Sequence, residues 1–356
     1  MPMKTTMNLS KNNKVILGLS GGVDSTTAAL LLIEKGFEVT GLYFDVTSGN
    51  KEGRAAAERV AASMDIPFIY RNVHEAFEKT VVDNFCCEYA NGRTPNPCIL
   101  CNPTIKFKLL LEEAIANGAD HIATGHYARV LEGFLHIARN SKKDQSYMLY
   151  RLGSDVLERL ILPLGEVVSK DLVRDYARDH DMENADKKDS QEICFISEEA
   201  GGYLNFLNQR GIPSKEGNFV DKNNRILGHH NGIMHYTVGQ RKGLGITFGK
   251  PTFVLSINPS DNSIALGDNE DLMQTIVTSS NHVFLGVKTD IVPKEYINSS
   301  LTAKIRYAAQ PSAAVITSSK GGLVVTHFES PQRAITPGQS IVFYQGDKLI
   351  GGGFIK

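Results

Sequence analysis

The sequence predicts an α/β protein: a parallel-sheet domain first, a small mixed domain in the middle, and a C-terminal β-barrel. Three observations predict it. From Lys14 to about residue 127, short apolar runs rich in Val, Ile and Tyr alternate with segments of helical character, the rhythm of a parallel sheet covered by helices. A glycine-rich turn, GLSGGVDS at 18–25, leaves the first of those runs and opens the first helix. Near residue 200 glycine and asparagine become frequent, and from about residue 252 β-branched residues alternate with turn signals such as NPSDN and SSKGG.

Taken in order, the expected strands are KVILGLS from Lys14, EVTGLYFDV at 38–46, PFIYRNV at 67–73 and HIATGHY at 121–127. The intervening STTAALLLIEKG, GRAAAERVAASM, EAFEKTVVDNFCCEYA and TIKFKLLLEEAIANG read as helices. Two of these stop at Gly36 and Gly118, where a left-handed cap suits glycine. ARVLEGFLHIAR then reads as a hairpin, residues 144–180 as a helical stretch, and KKDSQEICFI at 187–196 as the end of a polar loop. The 356 residues exceed the roughly 250–300 at which single cores stop growing. The expected domains are 1–200, 201–275 and 276–356.

Composition narrows the class. With 42% hydrophobic and 22% charged residues the chain is an ordinary globular one, which excludes a disordered or fibrous protein. The net charge of -1 indicates no partner by itself, but residues 281–356 hold eight Lys/Arg against four Asp/Glu, a local +4 that could meet a polyanion. The start, MPMKTTMNLSKNNK, has no apolar signal core, and AALLLI at 28–33 is far too short to span a bilayer, so a cytosolic protein without a membrane partner is expected. Its five cysteines, Cys86, Cys87, Cys98, Cys101 and Cys194, are an odd number without a signal peptide. That argues against a disulfide framework and for reactive thiols or metal ligands. Cys86 and Cys87, inside an expected amphipathic helix, read as buried apolar side chains.

The turn at 18–25 has the strand-to-helix setting of an anion site. Gly21 and Gly22 allow the backbone close to a phosphate, Ser20 and Ser25 offer hydroxyls, and the following helix start points amides at negative charge. It is not a Walker A loop, because no Gly-Lys-Ser/Thr follows, and the lysine that reaches the β/γ-phosphates is missing. Such a loop suits cleavage of ATP between the α- and β-phosphates.

SGGxDS in this position resembles the signature of the PP-loop ATP pyrophosphatases, adenine nucleotide alpha hydrolase-like enzymes that adenylate an oxygen and then displace AMP. The resemblance implies an ATP site at Gly18, Leu19, Ser20, Gly21, Gly22, Val23, Asp24 and Ser25, with Asp24 helping to hold magnesium pyrophosphate, and with Phe44 and Gly125 beside the adenosine. GRTPNPCILCNPTIKFK, ATGHYAR, KDQSYMLYRL, KKDSQEICFI, YTVGQRKGLGI, AKIRYAAQP and ITPGQSIVFY carry it further. Together they resemble one branch of that superfamily nearly end to end, the tRNA-specific 2-thiouridylases (MnmA/TrmU).

That resemblance implies ATP-dependent adenylation of O2 of uridine 34 in tRNA, then sulfur transfer giving 2-thiouridine, AMP and pyrophosphate. A partner protein would deliver sulfur as a persulfide on Cys194, and Cys101 would attack Cys194, leaving a disulfide for a reductant to reopen. Both thiols are then expected in accessible loops near positive charge, with Lys187 and Lys188 preceding Cys194 and Pro95 and Pro97 flanking the first pair. Cys98 departs from the family, many members of which have an acidic residue there. C-x-x-C alone also allows zinc or a redox pair, and Cys98, Cys101 and Cys194 could hold three irons of a [4Fe-4S] cluster. Asn96, Pro97 and Cys98 match positions that contact the target base; His126, Lys143, Asp144, Gln145, Arg306, Tyr307 and Gln339 match other tRNA contacts. Arg241 and Lys242, set among glycines, read as phosphate contacts on an exposed loop. The rival readings are a PP-loop ligase or amidotransferase acting on a small molecule, and a non-catalytic RNA-binding protein with a relic nucleotide loop, against which the intact SGGVDS and both family cysteines argue.

Overall fold

The computed structural model describes residues 12–47, 49–187, 193–197, 199–246, 249–287 and 291–356. The chain divides into two compact units, residues 1–77 with 102–190, and residues 78–101 with 191–356.

In the first unit a five-stranded parallel sheet is built from β1 (Lys14–Gly18), β2 (Glu38–Asp45), β3 (Phe68–Asn72), β4 (His121–Ala123) and β5 (Leu160–Ile161). Their order across the sheet is β3-β2-β1-β4-β5, so successive connections run one way from β1 and then the other. The reversal lies between β1 and β4, where two strand ends diverge and leave a crevice, the usual binding place in such sheets. Helix α1 (Val23–Glu34) follows β1, and α2 (Lys51–Ser63) follows β2. Asn50 starts α2 by accepting the Gly53 amide on its side chain at 2.8 Å. Farther on, α3 (Phe107–Ala116) precedes β4 and α4 (Lys170–Asp179) follows β5. Gly36 and Gly118 take φ of 81° and 62° just beyond α1 and α3, as the cap pattern predicts. Val15, Leu17, Leu19 and Val39 meet Ala28, Leu32 and Val173 in the core. Each such aliphatic side chain contributes about 1.5–3 kcal/mol by leaving water.

The stretch 144–180 departs from the expected helix. It holds a turn at Ser146–Met148, a short helix at Ser154–Leu157, the edge strand β5, a turn at Pro163–Glu166, and only then α4. Pro163 supplies no amide, and a Cβ at Gly165 would lie 2.0 Å from Ala128 O, so the chain there is shaped by a close backbone crossing rather than by helical spacing.

In the second unit the helix Asp83–Ala90 packs Phe85 edge-on against Phe195 at 5.3 Å and tilts it against Tyr89 at 4.8 Å. A four-stranded sheet runs in the order Phe253–Asn258, Ser263–Gly267, Gly217–Val220, Ile226–His230, over a core of Phe219, Val254 and Ile264. A closed antiparallel barrel completes the unit. Its strands run Met273–Phe284, Leu323–Arg333, Ser312–Lys320, Leu301–Lys304, Ser340–Gln345 and Lys348–Ile355, and the last pairs back to the first through Ser279 with Ile355. Phe284, Ile316, Ile341 and Phe343 fill it.

Candidate active site

The turn between β1 and α1 is held by its own serines. The Ser20 amide donates to Ser25 Oγ at 3.2 Å, and Ser25 Oγ donates to Gly22 O at 3.0 Å. Gly22 occupies the N-cap of α1 with no side chain capping the helix, so its first amides are open to an anion. Gly21 has φ of 72°, and a Cβ there would fall 2.8 Å from Ala57 N on α2. Gly125, after β4, would bring a Cβ within 2.9 Å of Ser25 N. Two glycines thus let α2 and the β4 loop close on the anion site from two sides. Phe44 Cε1 lies 3.7 Å from where a Cβ on Gly18 would be, placing its ring over the end of β1. Gly18, Leu19, Ser20, Asp24, Ser25, Phe44 and Gly125 line one cleft. Gly21 and Gly22 shape the turn, whereas the Val23 side chain is 4% exposed and packs in the core, so Val23 can offer a ligand only its backbone.

Sequence reasoning missed the groups that hold Asp24. Tyr127 OH donates to Asp24 Oδ1 at 2.6 Å, and Lys170 Nζ meets the same oxygen at 2.6 Å. Lys170 arrives from α4, 146 residues along the chain, and brings a lysine to a loop whose motif lacks one. Asp24 Oδ2 makes no hydrogen bond among the described residues, and a hard carboxylate oxygen of this kind fits Mg2+. Asn184, which carries no motif in the sequence, donates its Nδ2 to Gly21 O at 2.9 Å and braces the turn.

The cysteine pair is helical, which corrects the expected loop. Residues 98–101 form one α-turn, with the Cys98 amide donating to Asn96 Oδ1 at 3.1 Å and the Cys101 amide to Pro97 O at 2.9 Å. Proline before the turn is compatible with this because the orphan amides belong to the residues after it. Cys98 and Cys101 are half-buried, Cys194 is exposed, and no disulfide joins any of the five cysteines. Phe195 packs against Phe85 and Phe206 and Ile196 is buried, while Cys194, between them and the preceding loop, stays exposed. Cys86 is buried as expected, but Cys87 faces solvent. Of the preceding loop, Lys188 lies outside the described residues. Among the described residues no three His, Cys, Asp or Glu side chains stand together as metal ligands.

Three family models match along the chain: a tRNA methyl transferase HUP domain at 13–198, a tRNA methyl transferase PRC-barrel domain at 204–268, and an aminomethyltransferase beta-barrel domain at 280–355. The tRNA-specific 2-thiouridylase MnmA 1 of Clostridium botulinum strain Okra is 44% identical over 357 residues, covering 96% of this chain and 98% of that protein. MnmA 1 of strain Loch Maree is 45% identical over 361 residues, covering 96% and 99%. The chain belongs to the tRNA-specific 2-thiouridylase family.

The residues matched to the family's tRNA contacts fall into unlike settings. Arg241 and Lys242 are exposed, as the glycines around them suggest. Lys143 and Tyr307 are half-buried. Asp144 is 4% exposed, and its carboxylate accepts the Ala138 amide at 3.0 Å and the Ser146 hydroxyl at 2.8 Å. In this setting the Asp144 carboxylate shapes the loop. Gln145 Oε1 accepts the Tyr127 amide at 2.9 Å, and its side chain lines the cleft of Ser20 and Asp24 with His126. Arg306 donates to Arg333 O. Gln339 donates its amide to Thr94 O at 2.7 Å, and Thr94 N donates to Pro337 O at 3.0 Å, so the TPGQ turn of this thiouridylase grips the chain four residues before Cys98.

Proposed function

We propose that this protein is a tRNA-uridine 2-sulfurtransferase that makes 2-thiouridine at position 34, working in the cytosol with a sulfur-donor protein that supplies a persulfide. The observation that carries this reading is the family match over residues 13–198, which takes in the glycine turn, Cys98, Cys101 and Cys194 together. Methyl transfer, named in two of the model descriptions, uses neither an ATP pyrophosphate loop nor paired thiols, whereas thiolation uses both. Residues 1–200 act in this reading as the nucleotide domain, 201–275 as a tRNA-contacting domain, and 276–356 as the barrel domain.

The open amides of α1 bind pyrophosphate, and Phe44 packs against the adenosine. Asp24 holds Mg2+, which neutralises phosphate charge when bound. Adenylation turns the C2 oxygen into a leaving group. The terminal sulfur of the Cys194 persulfide attacks C2, and AMP leaves with the C–O electron pair. Cys101 thiolate then attacks Cys194 Sγ; the bond to the terminal sulfur breaks, its pair stays on the sulfur now bound to C2, and the Cys101–Cys194 disulfide is reopened by a thiol reductant. Asn96, Pro97 and Cys98 meet the splayed base in this scheme, and Lys143, Arg241, Lys242, Arg306 and Tyr307 the rest of the tRNA.

The test is incubation with ATP, Mg2+, a persulfide-charged cysteine desulfurase and unmodified tRNA, followed by digestion and mass spectrometry. 2-Thiouridine is expected, with Cys101→Ser and Cys194→Ser reducing it at least about 1,000-fold by removing the reacting group. Cys98→Asp should stay within about tenfold of wild type, since no electron pair moves through Cys98. Loss of all activity in Cys98→Asp, with iron and acid-labile sulfide in anaerobically purified enzyme, would favour the [4Fe-4S] route. AMP formation with a small amine acceptor and no 2-thiouridine would establish the ligase reading instead.

A further inference from the structure

Lys106 lines the same cleft as Ser20, Asp24 and Phe44. Residues Asn102–Lys106 form a π-type turn, which holds one residue more than an α-turn and recurs at functional sites. Both ends of this turn are anchored. Asn102, 1% exposed, donates to Met148 O at 2.9 Å, and Phe107 is fully buried with its ring 5.8 Å from that of His126. Between the buried Ile105 and Phe107, the wide turn leaves Lys106 half-buried with its ammonium 3.4 Å from His126 Nε2.

The charge on that ammonium is uncompensated. Lys170 spends its charge on Asp24, but among the described residues no carboxylate pairs with Lys106. An ammonium only donates, so His126 Nε2 accepts, the imidazole proton sits on Nδ1, and Nδ1 donates to Thr124 Oγ1 at 2.7 Å. Burial first, and then the Lys106 charge, push the His126 pKa well below its ordinary value, which keeps the ring neutral. A neutral ring orients the ammonium without cancelling it. A half-buried cation facing a nucleotide cleft, with its partner position left for an anion, is the arrangement that stabilises transferring phosphoryl groups. The turn amides and Asp24 serve the departing pyrophosphate and Phe44 the base, which leaves the α-phosphate for the Lys106 wall.

We infer that Lys106 is a catalytic residue of adenylation, with His126 as the residue that positions it. The inference rests on the sulfurtransferase reading above. Lys106 Nζ binds the non-bridging α-phosphate oxygens as uridine O2 attacks the phosphorus. The bond to the β-phosphate oxygen breaks, pyrophosphate leaves with the pair, and the uracil N3 proton passes to solvent.

The experiment compares wild type, Lys106→Met and Lys106→Arg in single turnover at saturating ATP and tRNA, following AMP and pyrophosphate, with ATP and tRNA affinities and thermal melts measured separately. Lys106→Met should lower the saturated rate about 100-fold or more while both affinities stay within about threefold, and Lys106→Arg should recover part of the rate. A saturated rate within about threefold of wild type, or a loss confined to ATP or tRNA affinity, overturns the inference. Should Lys106→Met not melt like wild type, Lys106→Gln is read by the same comparison. A wild type that forms neither AMP nor 2-thiouridine overturns the sulfurtransferase reading itself, whereas active wild type with equally active variants overturns only the role of Lys106.

Discussion

Gly21 shows how much one position can carry. Its φ of 72° is open to glycine, and the missing Cβ leaves room for the backbone of α2 2.8 Å away. Gly21→Ala would meet both obstacles at once. It should cost about 1–3 kcal/mol of stability in a thermal or urea melt, and because the turn must shift, weaken ATP binding by at least about tenfold in an equilibrium titration. A variant that binds ATP as wild type does would show that the turn tolerates a different path. The glycine itself was legible in the sequence, because SGGVDS keeps its functional atoms within a few residues. Lys170 was not. Its signal in the sequence is an ordinary helix start, Ser169 capping the Asp171 amide, and only folding brings its ammonium to Asp24.

Among the elements, the short Cys98–Cys101 helix gains its position from outside itself. A single α-turn is unstable alone, and here Thr94, just upstream, is gripped on both sides by the barrel turn: its amide by Pro337 O and its carbonyl by Gln339 Nε2. Gly338, with φ of 89°, makes room, since a Cβ there would lie 2.9 Å from Thr94 N. Arg93 adds a bidentate pair with Glu88. Gln339→Ala should therefore speed alkylation of Cys98 and Cys101 by iodoacetamide, without any tRNA present, by about threefold or more, at a cost of about 1 kcal/mol in stability. An unchanged alkylation rate combined with weaker tRNA binding would make Gln339 a contact alone. The strands β1, β2 and β3 were legible because apolar runs of strand length alternate with helical segments. Residues 144–180 misled because their apolar spacing is helical while Gly153, Pro163 and Gly165 divide them. The π-type turns at Glu78–Val82 and Asn102–Lys106 have no local signature at all.

For the protein as a whole, a net charge of -1 leaves RNA binding to local arrangement, with eight Lys/Arg against four Asp/Glu in residues 281–356 and the exposed Arg241 and Lys242 earlier. Three phosphate contacts on single-stranded RNA, from Arg241, Lys242 and Arg306, would give a slope of about −2 in a plot of log affinity against log salt. Filter binding of unmodified tRNA across a potassium chloride series checks this; a flat plot would remove these residues from the interface. No helix among the described residues is long and apolar enough to cross a membrane.

By itself the sequence determined the alternation of strands and helices in the first sheet as far as residue 127, the strand-to-helix glycine turn, the glycine caps and the two cysteines matched to the family's chemistry, because each is written in residues adjacent along the chain. Tertiary structure decided what those residues face. It brought Lys170 and Tyr127 to Asp24, Lys106 to the cleft beside the glycine turn, and Gln339 to Thr94 across 245 residues, and it turned Asp144 inward. The physical reason is that closing a long loop costs entropy that only the whole packed core repays, so no local pattern records which distant side chains will meet.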